Sequence, residues 1–378
     1  MLVYSPQKRE NIMRRSFIIS LLFSLLVIAR VDLLQAQTVI EGRVTDAQTG
    51  EPLQGAHVFL ADTKSGTVTD PFGRFRLSHP MPGVYRLVVS MIGYDRTPID
   101  IAFGSGEFKK VDAELEPVVY KMDEIYVGNL DERWEKHLER FTRLFIGESE
   151  RADSVIILNP EVLRFETRWW GRFTAEALAP LQIDNHALGY HITYYLDEFN
   201  HTGTRTRWDG EPLFSEMTPI DSAQAAYWKQ NRRDAFFGSL RHLLLALLQD
   251  SVEEEGFILH RLPRDVHGIS PHDRFRTTAS RLIREGDENY LYQVNFFGRL
   301  EIVYTQAEEG RRYIRWASRH GQATPSGSQT SYLELNERPI TVDSDGEIAE
   351  PYGATQFGYF AFHRLADKTP REYRPEEW

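Results

Sequence analysis

Ser239 and His242 stand three residues apart in "NRRDAFFGSLRHLLLAL". On a helix, that spacing puts the hydroxyl and the imidazole on one face. A nucleophilic Ser–His pair needs such proximity, together with an acid to orient the ring and donors for an oxyanion. The sequence supplies neither an assignable acid nor an assignable oxyanion hole. The favoured reading of the stretch is structural. Asn231, Arg232, Gly238 and Arg241 fasten a helix junction, and Ser239 and His242 bond to neighbouring strands. Arg232, with its planar fork of donors, serves there as a clamp on backbone carbonyls or a carboxylate.

Two further clusters invite a metal. Asp184, Asn185, His186 and His191 lie close together, but a His–His spacing of five fits neither one helix face nor one strand face. A β-turn at Asp184–Asn185 is expected instead. Asp343-x-Asp345-Gly346 starts like a calcium loop and lacks the third acidic position and the distant Glu, so a hairpin turn is expected. No metal and no cofactor is assigned. Trp169, Trp170, Tyr190, Tyr194, Tyr195, Trp208 and Trp228 could stack on sugar rings, although aromatics in a β-rich core mostly pack. His-Glu-x-x-His, Gly-x-Ser-x-Gly and phosphate-loop signatures are missing from the sequence.

The elements that must position these residues fall into two regions. From Thr38 to Leu115, about seven short alternating runs are separated by turn formers such as Asp70-Pro71-Phe72-Gly73. That rhythm predicts an antiparallel β-sandwich. "NLDERWEKHLERFTRLFIG" places Trp134, Leu138, Phe141 and Phe145 on one helical stripe. Residues 220–250 read as one broken helix or two, with a kink at Gly238. The rest is β-patterned, including a supposed hairpin over 331–348 with Asp345-Gly346 in its turn. The second region is therefore mainly antiparallel α+β, with helices at its start and middle.

Residues 13–36 show two arginines, an apolar run from Phe17 to Ala29 and a small residue at Ala36. This is the pattern of a signal peptide, with translation starting at Met1 or Met13. The run is short for a membrane span of about 20 residues. Residues 1–36 carry a net charge of +3, so their removal takes the chain from −11 to −14. Such a chain is a poor partner for nucleic acid. With no cysteine, the sequence holds no disulfide framework, thiolate nucleophile, Cys metal site or lipid-bearing N-terminal Cys. The expected divisions are 1–36 signal peptide, 37–117 sandwich, 118–130 linker and 131–378 α+β domain.

Gly42-x-Val44-x-Asp46, Thr49-Gly50-Glu51-Pro52-Leu53, Gly55-Ala56-x-Val58, Thr69-Asp70-x-x-Gly73-x-Phe75 and Tyr85-x-Leu87-x-Val89-Ser90-x-Ile92-Gly93-Tyr94 follow in order. Over residues 38–115 this resembles the carboxypeptidase-like regulatory domain. The resemblance implies a seven-stranded transthyretin-like sandwich of exported proteins in Bacteroidota-type bacteria, also found ahead of the plug of TonB-dependent receptors. It implies an envelope address and no catalysis. About 250 residues follow, too few for the roughly 22 strands of a receptor barrel. Trp378 reads as the incidental end of a charged, proline-bearing tail. Across its whole length the chain resembles envelope proteins carrying this domain at the N-terminus. That likeness rests on "ILNPEVLRF", "PLQIDNHALGYHITYYLDEF", "NRRDAFFGSLRHLLLAL" and "RLADKTPREYRP", and brings no activity with it.

The expected protein is thus exported to the periplasm or outer-membrane periphery and non-catalytic. Its partner is a glycan or another envelope protein, and the mature chain has no transmembrane segment. The alternatives are an envelope or glycan hydrolase with a catalytic C-terminal domain, and an accessory protein related to TonB-dependent receptors.

Overall fold

The computed structural model describes residues 38–79, 81–118, 132–168, 171–263, 274–321, 327–376 and 378. The expected signal peptide, most of the 118–130 linker and Trp169–Trp170 lie outside them. The described fold is mostly β with several antiparallel sheets.

The N-terminal region is a two-sheet sandwich. In one sheet Thr38–Asp46 pairs antiparallel with Arg74–His79 and parallel with Phe108–Lys110, then with Ala113–Leu115. The last two segments follow one another along the same neighbour. Their interruption explains a motif glycine. A Cβ on Gly42 would lie 1.7 Å from the Val111 carbonyl oxygen. The other sheet runs Gly66–Val68, His57–Leu60, Gly83–Ser90, Thr97–Phe103. Alternation does the burying: in Arg74–His79 every second side chain points inward. Val44, Val58, Phe75, Leu87 and Val89 close one core. Asp46 accepts from the N–H groups of Gln48 and Thr49 and from the Tyr94 hydroxyl, which knits two motif segments together.

Helix α1 (Glu132–Phe145) drives Phe141 and Phe145 into a second core. That core lies on a sheet ordered Leu163–Thr167, Phe173–Ala177, Tyr190–Thr202, Leu181–Asn185, Val155–Ile157. Arg205–Glu216 joins it as the second arm of a long hairpin with Tyr190–Thr202. Helices α2 (Ser222–Phe236) and α3 (Leu240–Leu248) follow. The leucines of α3 pack on Phe257, Leu259, Ile302 and Leu333 in a third core. The sheet beneath is ordered Phe275–Arg276, Phe257–Leu262, Arg299–Glu308, Ser328–Leu335, Ala354–Gly358. Ile340–Asp343 pairs instead with Leu291–Val294, in a separate sheet. The expected hairpin with Asp345–Gly346 in its turn is present in short form: Val342 bridges Ile348 antiparallel, Asp343 N–H donates to the Glu347 carbonyl and Gly346 N–H to the Asp343 carbonyl. The start of the 331–348 stretch belongs to the five-stranded sheet through Ser328–Leu335.

The sandwich is docked on the rest of the chain at two places. Against the long hairpin, Phe59 stacks on Tyr195 at 5.2 Å, and buried Glu211 sits between Arg86 and Arg96 at 3.3 and 3.2 Å. The second contact is a buried polar junction. Arg371 pairs with Asp343 and Asp345, donates to the Val84 carbonyl at 2.7 Å and lies 3.8 Å over the Tyr85 ring. The Tyr85 hydroxyl donates to Asp345 at 2.6 Å. The same tail places Leu365 and Ala366 in the second core. It ends with Trp378 packed 5.0 Å from His242 and 5.5 Å from Phe236. Trp378 is thus not incidental: it covers the edge of the third core.

Candidate functional site

Between the two halves of the C-terminal region lies an open cleft of about 1730 Å³. One wall is the face of the five-stranded sheet turned away from the third core. Cross-strand register sets a row across that sheet: His260 opposite Glu301, Glu301 opposite Tyr332, Tyr332 opposite Phe357. All four side chains line the cleft. The remaining walls come from the end of α1, the tip of the 190–216 hairpin, the α2–α3 break, the 336–353 stretch, helix α4 (Arg311–Arg319) and the tail after Phe360.

Glu301 is 1% exposed. His260 Nδ1 and an Arg274 guanidinium nitrogen each stand 3.1 Å from its carboxylate. Neither Glu301 oxygen completes a well-angled hydrogen bond among the described residues. A buried carboxylate so placed can accept from a ligand hydroxyl or act in proton transfer.

A second feature is a set of arginines stacked on aromatic rings. Arg140 lies 4.5 Å over Phe173, Arg207 4.3 Å over Tyr352, Arg299 4.6 Å over Phe357 and Arg364 4.7 Å over Trp208. Arg299 is also paired with Glu334. Stacking fixes the guanidinium plane and leaves its edge donors free to bond. Burial pushes Arg364 down to about 10, so it stays charged at neutral pH. His201 is pushed down to about 4, first by burial and then by Arg140, Arg364 and His320, so it is neutral there.

The stretch singled out by sequence lies at the α2–α3 break. Ser239 is the N-cap of α3, and its Oγ accepts from the His242 backbone N–H at 3.1 Å. That bond does not involve the imidazole. The His242 ring is fully buried; its Nδ1 accepts from Gly238 N–H at 2.9 Å and its Nε2 faces Glu255 at 3.1 Å. Gly238 has φ 77°, and a Cβ there would meet the Tyr304 ring at 2.8 Å. Asn231 donates to the Ala187 carbonyl. Arg232 donates to the Leu188 and Gly189 carbonyls at 2.6 and 3.1 Å and lies 4.1 Å over Tyr190. Arg241 donates to the carbonyls of Pro370, Arg371 and Tyr373, and burial pushes it down to about 10. Of this group, Ser239 and Arg241 reach the cleft lining and His242 does not.

These contacts separate two substitutions. Arg232→Ala removes two charge-assisted bonds, each worth about 1.5–3 kcal/mol, and should lower the melting temperature clearly. Ser239→Ala removes one cap worth about 1 kcal/mol. Thermal melts of both variants check this; an equal loss would show that the Arg232 bonds contribute no more than a cap.

Asp184 and Asn185 end a strand, and the turn falls on 186–189 rather than on Asp184–Asn185. Buried Asn185 bonds the Ala366 carbonyl of the tail, and Asp184 meets His191 at 2.5 Å. No group of three or more His, Cys, Asp or Glu among the described residues could hold a metal. Asp343 and Asp345 are engaged by Arg371, as above. Trp228 bonds the His186 carbonyl, Tyr190 and Tyr194 are buried, and among the described aromatic candidates only Tyr194 and Trp208 line the cleft. Sequence reasoning did not single out Arg140, His201, His260, Arg274, Arg299 or Glu301. Arg364 opens the "RLADKTPREYRP" stretch, which was noticed without a role.

Residues 40–127 match the CarboxypepD_reg-like domain. The chain is 35% identical over 97 residues to the TonB-dependent receptor SusC of Bacteroides thetaiotaomicron, covering 26% of this chain and 9% of that one. It is 35% identical over 112 residues to the TonB-dependent receptor P39 of Formosa agariphila, covering 30% and 10%. The chain thus spans about a tenth of the length of these curated relatives. Among solved structures, a type II Cohesin-X-Dockerin complex of Acetivibrio cellulolyticus is matched at 19% identity, over 30% of this chain and 79% of that one, with a TM-score of 0.19. Catechol 1,2-dioxygenase of Pseudomonas arvilla is matched at 16% identity over 23% and 54%, also at 0.19. At those scores neither likeness bears on fold or function. The similarity to receptor N-terminal regions associates the chain with the cell envelope. No helix among the described residues is long and apolar enough to cross a membrane.

Proposed function

We propose that this is an exported, non-catalytic envelope protein of the periplasm or outer-membrane periphery, whose C-terminal region binds a glycan in its cleft. The N-terminal sandwich serves as a rigid mount, consistent with its two docking contacts. The observation that carries the reading is the cleft itself. At about 1730 Å³ it exceeds the usual 300–1,000 Å³ of a small-molecule pocket, and its walls mix aromatic rings with hydrogen-bonding groups. That suits an oligomer with many hydroxyls.

Calorimetric titration of the full chain with oligosaccharides should give saturable binding. Tyr332→Ala, which removes a ring from the sheet wall and leaves all the cores intact, should weaken it about tenfold. Absence of binding across neutral and acidic oligosaccharides would sink the proposal. The buried Glu301 beside His260 favours one second reading, hydrolysis in the same cleft. Glycan turnover that disappears in Glu301→Gln would put hydrolysis in place of binding.

A further inference from the structure

We propose that the ligand of this cleft is an acidic oligosaccharide, with Arg140 and Arg364, on either side of His201, holding its carboxylate or sulfate group. The inference rests on the glycan-binding reading and adds the charge of the ligand.

The placement follows from strand register. Phe173 lies opposite His201, and Phe199 lies opposite Trp208, two residues along the same strand from His201. Opposed residues and residues two apart share a face of a sheet. Arg140 stacks on Phe173 and Arg364 on Trp208, so the two guanidinium groups bracket the His201 ring. All three groups line the cleft. Arg364 spends two donor positions on the Ala361 and Leu144 carbonyls. Neither Arg140 nor Arg364 forms an ion pair with a carboxylate among the described residues. Two oriented, charged forks around a neutral ring form a ready receptor for a planar or tetrahedral oxyanion.

The rest of the lining mixes carboxylates with further arginines such as Arg205, Arg207 and Arg274, and is not the uniformly basic surface that suits a dense polyanion. Glu301, Glu337 and Glu350 also face the cleft. They would repel closely spaced phosphates, yet they accept hydrogen bonds from hydroxyls. Tyr332 and Thr330 supply hydroxyl partners on the sheet wall. A chain of sugar hydroxyls with an occasional acid group satisfies both sets; polyphosphate satisfies only the arginines.

The experiment titrates the full chain with four probes of matched length: a neutral oligosaccharide, a uronic-acid oligosaccharide, a sulfated oligosaccharide and linear polyphosphate. One acidic saccharide should bind at least about tenfold more tightly than the neutral one, a gain equal to one charge-assisted bond. Whichever of the two wins identifies carboxylate or sulfate as the group read. Arg140→Gln, at a half-exposed position, should cost the acidic probe about tenfold more than it costs the neutral one. Arg364→Lys, which keeps the charge and loses the fork, should do the same if it remains folded by circular dichroism. Neutral and acidic saccharides binding equally would overturn this inference while leaving the glycan-binding reading intact. Tightest binding of polyphosphate would overturn both, as would no binding of any probe.

Discussion

Arg371→Ala is expected to cost more stability than any other single substitution at the junction between the sandwich and the rest of the chain. Arg371 is 5% exposed, and Asp343 and Asp345 are each 1% exposed. Burial pushes Asp343 up, and Arg371, together with the N–H groups of Glu347 and Val84, offsets part of that rise. Without the guanidinium, Asp343 remains buried with no ion-pair partner among the described residues, beside Asp345, which keeps only Arg374 at 3.5 Å. Removing one partner of such a group costs about 3–5 kcal/mol. For a chain of this size that is a fall of roughly 10 °C in melting temperature. Arg371→Lys keeps a charge but cannot reach both carboxylates and the Val84 carbonyl together, so it should fall between the two. The Ala penalty should shrink in acid, because protonation of Asp343, which burial favours, removes the uncompensated charge. A melt within about 2 °C of wild type at neutral pH would mean that the junction contributes nothing to the fold.

That junction marks the limit of what local pattern reveals. The sandwich was legible because each strand buries one face: Phe75 and Leu77 point inward while Arg74 and Arg76 point out. Helix α1 was legible for the same reason, since Phe141 and Phe145 repeat at helical spacing. The spacing of Asp343 and Asp345 predicts a hairpin turn, and nothing nearby in sequence points to a counter-charge. Their partner is Arg371, 26 and 28 residues away, in the charged, proline-bearing tail. The cleft failed to show for a related reason. His260, Glu301 and Tyr332 come together through the register of three strands, and a shift of one residue would turn them onto the other face. Arg140 was legible only as a charge on α1; its stacking on Phe173 depends on how helix and sheet meet. In the 231–242 stretch the sequence marks a helix break at Gly238, whereas Ser239, expected to bond a neighbouring strand, instead caps α3.

His242 should make the protein sensitive to mild acid. Its ring is enclosed by Phe236, Phe237, Phe257, Tyr304 and Trp378, and its Nδ1 accepts from the Gly238 N–H. That nitrogen cannot take a proton without breaking the bond at the helix junction. Burial accordingly pushes His242 down to about 3, against an ordinary value of 6.5. Above pH 6.5 neither the folded nor the unfolded chain protonates it, and the stability it lends is fully present. Between pH 6.5 and 3 the unfolded chain binds a proton that the fold excludes, so stability falls as pH falls, by up to about 1.4 kcal/mol per unit. His242→Asn keeps an acceptor near the Gly238 N–H and removes the titration. The variant should be less stable than wild type at pH 7.5, through lost packing. The gap should close by about 2 kcal/mol between pH 6.5 and 4.5 in urea unfolding. Glu255, across from Nε2, is pushed up by burial and acts in the opposite direction, so both proteins are measured with Glu255→Gln as well. His79 and His201, each pushed down to about 4, titrate alike in both backgrounds and drop out of the difference. A gap that stays constant across this range would mean that the ring admits a proton in the folded state. The Gly238–His242 bond could not then be what holds the break between α2 and α3.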